Sequence, residues 1–143
     1  MKPLTLLLFA LFVASCSPPR LIIYQDPLSA QEHVDLGYIY ERQGKLELAQ
    51  EEYKKAIRKD KREWRAYFNL GNTYAKLGKY EEAKEFYEKA LELKKDPDIY
   101  NNLAYTLYQL KDYCGALFYA KKALEKGSRR EYEETYREVW EKV

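Results

Sequence analysis

From residue 30 to about residue 126 the apolar positions return every third or fourth residue, the period of an amphipathic helix, and short polar breaks interrupt them at regular intervals. A longer period lies over this one. Ala49, Ala83 and Ala116 stand 34 and then 33 residues apart, and Leu36, Leu70, Leu103 and Ala56, Ala90, Ala123 keep the same steps. A fixed repeat in the low thirties describes stacked helical hairpins, each unable to bury its apolar face alone. The pattern predicts hairpins of Ala30–Arg42 with Leu46–Arg58, Trp64–Leu77 with Tyr80–Lys94, and Pro97–Leu110 with Tyr113–Glu125.

Helix starts carry their own signals. Ser29 with Glu32 forms a capping-box pattern, Asp96 precedes Pro97, and Ser128 with Glu131 repeats the box just after Gly127, a stop for the preceding helix. Gly44 and Gly78 fall in the hairpin turns, where a left-handed backbone carries no side-chain penalty, and Lys111 takes that place in the third copy. Gly37, Gly71 and Ala104 on first helices, with Ala49, Ala83 and Ala116 on second helices, mark the close approach within each hairpin. Tyr40, Tyr74 and Leu107, and then Tyr53, Tyr87 and Ala120, fill the wider spaces. After Ser128, Tyr132, Tyr136, Val139, Trp140 and Val143 share one helical face, the pattern of a terminal helix covering the apolar end of a solenoid.

These residues resemble the tetratricopeptide repeat (TPR) family over about Ala30 to Leu124. The middle copy carries the resemblance best, with Trp64, Tyr67, Leu70, Gly71, Tyr74, Ala83, Tyr87 and Ala90 at signature places. Departures are His33 at a usual aromatic position of the first copy, Ala104, Leu107, Lys111 and Ala120 in the third, and Lys61 and Lys95 where proline is common. The resemblance implies an all-α, right-handed superhelical solenoid of three hairpins (about 30–63, 64–96 and 97–127) plus a C-terminal capping helix over 128–143.

The N-terminal stretch is different. Lys2 precedes an apolar run, Leu4 to Ala14, too short to span a bilayer in the ordinary way and suited to an export signal. Val13-Ala14-Ser15-Cys16 resembles the bacterial lipobox, which implies a signal peptide over 1–15 and acylation of Cys16; a plain secretory signal with an incidental Cys16 is the alternative. Ser17 in place of an inner-membrane retention aspartate implies an outer-membrane anchor facing the periplasm. Residues 16–28, with Pro18, Pro19 and Pro27, then form an extended tether, its last twelve residues reaching at most roughly 40 Å at ~3.3 Å per residue. Leu21 to Tyr24 is an apolar patch expected to pack on the first helix.

Composition narrows the chemistry. A net charge of +2 is too mild for the basic footprint of nucleic-acid binding. One histidine, His33, sits at a packed position, and Cys114 reads as a small buried residue. No cysteine pair, histidine cluster or acidic cluster has metal-ligand spacing, and no glycine-rich phosphate loop or nucleophile motif is present, so neither enzyme chemistry nor a cofactor is expected.

What remains is the concave face lined by first helices. By the family resemblance, its partner-binding residues are Tyr38 in the first copy; Arg65, Phe68, Asn69 and Asn72 in the second; and Asn101, Asn102, Tyr105 and Tyr108 in the third. Amide side chains suit a peptide backbone because they donate and accept together. Aromatic rings add rigid contact area. The same tyrosines could instead pack neighbouring repeats, and the asparagines could hold local backbone. Val34, Asp98 and Asn102 stand where the chaperone-binding members of the family carry carboxylate-gripping cations. The expectation is therefore an adaptor or assembly factor binding a protein or peptide of the cell envelope, held at a membrane through Cys16; the alternative is a self-associating structural envelope protein.

Overall fold

The structure is a computed structural model and describes residues 25–143. The signal segment, Cys16 and the tether as far as Tyr24 lie outside the described residues. Seven helices follow in order: α1 (Ala30–Arg42), α2 (Leu46–Lys59), α3 (Trp64–Lys76), α4 (Tyr80–Leu93), α5 (Pro97–Gln109), α6 (Tyr113–Lys126) and α7 (Arg130–Trp140). There is no strand among the described residues, and no described helix is long and apolar enough to cross a membrane.

The predicted starts and stops hold, with one exception. Glu32 N–H donates to Ser29 Oγ at 3.3 Å while Ser29 N–H donates to Glu32 Oε2 at 2.7 Å, a complete capping box on α1. Asp96 accepts from Asp98 N–H at 2.9 Å at the start of α5. The second box does not form: α7 starts one residue later than that pattern places it, with Arg129 as its uncapped N-cap residue. Here Arg129 and Tyr132 instead reach Asp98 of α5, and those tertiary bonds decide where the helix begins. In the turns, Gly44 and Gly78 have φ of 75° and 72°, and Lys111 keeps the same left-handed geometry at 65° despite its Cβ.

Helices pair as α1/α2, α3/α4 and α5/α6, and each pair docks its second helix on the next first helix. The all-alanine register makes this possible, since Ala49, Ala56, Ala83, Ala90, Ala116 and Ala123 are all fully buried. First helices α1, α3, α5 and α7 touch in succession and form one face of the solenoid. Within the first two hairpins a tyrosine of the second helix lies on a glycine of the first. A Cβ on Gly37 would stand 2.5 Å from Tyr53 Cε1, and one on Gly71 2.7 Å from Tyr87 Cε1. In the third hairpin both partners are alanine, Ala104 and Ala120, and both are fully buried.

Two expectations are corrected, and a third is met in an unexpected setting. On α7 only Tyr132 and Val139 are buried; Trp140 at its end and Val143 beyond it are 60% and 65% exposed, so the helix covers the stack with two side chains rather than a full face. Cys114 is exposed, because it lies on the side of α6 turned from both the hairpin and the next helix. His33 is fully buried, as expected of a packed position, but its neighbours are charged. Its Nδ1 lies 2.7 Å from Glu52 Oε2, and Asp26 Oδ2 stands 3.0 Å from Nε2, off the hydrogen-bonding direction. Burial alone would raise the Glu52 carboxyl, but hydrogen bonds from Lys55 and His33 outweigh it and hold the group below its usual range. Lys59 also donates to the Asp26 carbonyl, so the segment entering α1 is pinned to the first hairpin.

Candidate functional site

The face built by first helices holds a hollow of ≈ 400 Å³ between α3 and α5, closed at its ends by α1 and α7. Its floor is made by a second helix. Because Gly71 has no side chain, Tyr87 passes over α3 and brings its hydroxyl through to the concave side, where it donates to Asn72 Oδ1 at 2.7 Å. Asn102 Nδ2 donates to the same oxygen at 2.9 Å and so ties the second repeat to the third. Tyr53 does the equivalent over Gly37: its hydroxyl donates to Glu41 Oε2 at 2.7 Å, and Glu41 Oε1 receives Lys76 Nζ at 2.6 Å, joining the first repeat to the second. Burial raises both phenols far above the ordinary tyrosine range, so each remains a donor at any physiological pH.

The third junction uses different residues. Asp98 accepts from Arg129 Nη1 at 2.7 Å and from the Tyr132 hydroxyl, which burial first and then this bond push up to about 12. An adjoining recess of ≈ 340 Å³ lies here, between Phe68, the α5 amides and the start of α7. Asn101 forms part of the wall of both hollows. Its amide oxygen is shielded from solvent and receives no hydrogen bond, and Thr106 Oγ1 in the same wall is likewise without a partner. A buried acceptor left unmet costs about 1–3 kcal/mol, so little holds the Asn101 amide against turning its oxygen into the hollow.

Asn72, Asn101, Asn102 and Tyr105 therefore meet in the central hollow, with Tyr105 43% exposed at its rim, and Phe68 joins Asn101 and Asn102 in the recess. The other candidates stand apart. Asn69 is half-buried and Tyr38 is exposed on α1, and neither lines these two hollows. Arg65 folds back at the start of α3, 3.1 Å from Glu63 and over the Trp64 ring. Tyr108 packs its ring against Tyr113, 5.7 Å between centroids, inside the third hairpin. Residues missed from sequence are Lys76, Thr106, Tyr87 and Thr135. The glycine–tyrosine pairing was the available signal for Tyr87. For Thr135 it was the repeat register, which continues into α7.

The groove has no cation to spare, and Glu131 adds a carboxylate beyond the two paired ones. Its two cations, Lys76 and Arg129, are each committed to a carboxylate of the neighbouring first helix. Among the described residues no three His, Cys, Asp or Glu side chains are grouped to hold a metal ion.

A stack of helix-turn-helix repeats with a groove along its first helices is a helical-repeat scaffold, a class that presents extended concave surfaces. Family models place the repeats: Tetratricopeptide repeat models match residues 64–97 and 98–134, and a TPR repeat model matches residues 37–78. The chain carries tetratricopeptide repeats. No curated protein matches it. Similar solved structures include the first TPR of Spaghetti (RPAP3) bound to the HSP90 peptide SRMEEVD, at 21% identity and a TM-score of 0.77, covering 79% of this chain and 94% of that one. The TPR2B domain of yeast Sti1 in complex with an Hsp70 peptide is 24% identical with a TM-score of 0.76, covering 80% and 98%. YrrB, a TPR protein with an unusual peptide-binding site, is 28% identical with a TM-score of 0.73; the match covers 77% of this chain and 58% of YrrB.

Proposed function

We propose that the protein is a non-catalytic interaction module whose groove takes an extended or helical segment of a partner protein. The observation that carries this reading is Asn101: a shielded amide oxygen without a donor, beside the Asn72–Asn102 pair and the exposed Tyr105 ring. With the Asn101 amide turned into the hollow, a backbone N–H of a bound segment supplies the missing donor, and the Tyr105 ring supplies rigid contact area. With Lys76 and Arg129 already paired, the groove favours an uncharged stretch over a terminal carboxylate, unlike a site built from free cations. Peptides held by similar folds, from HSP90 and Hsp70, support the use of this fold for peptide binding.

The same proposal places the module at a bacterial membrane, acylated at Cys16 and facing the periplasm, where the partner is another envelope protein; several acyl chains on one residue give stable anchoring. Two measurements test it. Fatty-acid labelling that is absent from the wild type, or equal in Cys16→Ser, rejects the anchor. Pull-down from solubilised envelope with wild type and Asn101→Ala/Asn102→Ala/Tyr105→Ala tests the groove, and an unchanged partner list rejects it.

A further inference from the structure

Lys2 and Arg20 account for the whole net charge of +2, so residues 25–143 are neutral taken together. Within them the charge is unevenly spread. From Lys54 to Arg65, seven lysines and arginines stand against two carboxylates, Asp60 and Glu63. This stretch is the corner where α2 ends and α3 begins. A cation in the last turn of a helix complements its dipole, but α4 ends without one, and Lys61 and Arg62 lie beyond the end of α2. Both carboxylates are engaged locally. Asp60 Oδ1 accepts from Arg62 N–H at 2.9 Å, and Glu63 Oε1 accepts from Arg65 N–H at 3.2 Å and from its Nε at 3.1 Å. Lys55 is held by Glu52 at 2.6 Å, and Lys59 by the Asp26 carbonyl. Lys54, Arg58, Lys61 and Arg62 remain exposed, with no ion pair among the described residues.

The chain also enters the solenoid at this corner. Lys59 holds the Asp26 carbonyl, and His33 lies between Asp26 and Glu52, so residues 25–29 are pinned beside the end of α2. Cys16 stands nine residues before Gln25, a reach of at most roughly 30 Å at ~3.3 Å per residue. We propose that the Lys54–Arg65 corner sits on the anionic phospholipid headgroups of the membrane beside which the chain is tethered. The tethered setting depends on the anchoring proposed above, whereas the charge and the entry point belong to the fold itself. Each exposed cation adds attraction to an anionic surface, but only within about 10 Å at 0.1 M salt. A short tether keeps the corner in that range by raising its effective concentration at the surface. Contact also sets the orientation. The hairpin turns at Gly44 and Gly78 lie at the far ends of their helices and point away from the lipid, so the groove along the first helices opens sideways over the membrane.

Lysine footprinting tests this on the full-length chain, extracted from bacterial membranes and reconstituted with vesicles of phosphatidylcholine, alone or with roughly 30% phosphatidylglycerol. Lysines are acetylated from the aqueous side and read by mass spectrometry. Labelling of Lys54 and Lys61, relative to Lys79 in the far turn, falls at least about threefold on the anionic vesicles at about 0.1 M salt. It recovers at about 1 M salt, where the screening length drops to about 3 Å. Arg58→Glu/Arg62→Glu abolishes the protection at unchanged circular dichroism melting. Flotation with the neutral vesicles reads the anchor separately: a chain left behind there rejects the anchoring, and the lysine comparison still decides the contact. Equal labelling on both vesicles overturns the proposal. So does protection that survives high salt or the double variant. Protection by added polyglutamate, with none by anionic lipid, overturns it in favour of an acidic protein at this corner.

Discussion

The ring of Tyr87 rests on Gly71 so closely that an added Cβ would stand 2.7 Å from Cε1, and this contact delivers the Tyr87 hydroxyl to Asn72 on the opposite face of α3. One pair of residues thus sets both the hairpin spacing and the groove floor. Gly71→Ala is expected to cost about 1–3 kcal/mol, because the buried ring cannot swing aside without losing its bond. Tyr87→Ala alone costs about 3–5 kcal/mol through the cavity it leaves. The double variant recreates the Ala104–Ala120 arrangement of the third hairpin and should be more stable than the sum of the two losses. A double-mutant cycle by urea denaturation checks this; simple additivity would rule out the steric coupling.

Asn72 has a second duty, as the shared acceptor for Tyr87 and Asn102. Asn72→Ala leaves a buried hydroxyl and an amide without their acceptor and should lower stability by about 1–3 kcal/mol. It should also loosen the junction between the second and third repeats. Hydrogen exchange should rise first in α3 and α5, and protection unchanged in both would argue that the bond is incidental.

The third turn carries a removable strain. Lys111 adopts φ 65°, where Gly44 and Gly78 occupy the equivalent turns without penalty. Lys111→Gly should stabilise the protein by about 1 kcal/mol, the left-handed penalty of roughly 1–2 kcal/mol being partly offset by the entropy glycine loses on folding. Gly78→Ala should shift the melting temperature in the opposite direction. Equal and opposite shifts are not required, but a destabilised Lys111→Gly would contradict the account.

The buried His33 holds Glu52 and faces Asp26 on the segment that enters α1. His33→Phe keeps an aromatic ring in place but removes the donor to Glu52, and about 1–3 kcal/mol of stability is expected to go with it. Residues 25–29 should become the first site of proteolysis, which limited digestion followed by mass spectrometry would detect.

Alkali should unfold the protein through its tyrosines. Burial and the Asp98 bond push Tyr132 up to about 12, and burial raises Tyr53 and Tyr87 further. The folded protein holds these phenolic protons more tightly than the unfolded chain, whose tyrosines titrate near 10. Their stabilisation is therefore complete below about pH 10 and is lost as the pH rises through 12. Melting temperatures measured from about pH 9 to 11.5 should fall steeply, and Tyr132→Phe should flatten part of that fall.

The sequence by itself determined the solenoid. Its repeated alanines, capping residues and turn glycines are local or periodic signals, and every helix boundary except the start of α7 follows from chemistry within a few residues of it. The family resemblance implied nine groove residues, of which Asn72, Asn101, Asn102 and Tyr105 line the central hollow while Tyr38, Arg65, Asn69 and Tyr108 stand apart. Only the tertiary structure decided what those residues do. That Asn72 is occupied while Asn101 is left without a donor depends on Tyr87, fifteen residues away, reaching across a glycine. That Lys76 and Arg129 are spent on Glu41 and Asp98 depends on first helices meeting side by side, a contact between residues more than thirty positions apart. The exposed Trp140 ring follows the same logic. The apolar stripe is written in the sequence, but whether a ring is covered depends on what the fold sets against it, and nothing local to Trp140 says so.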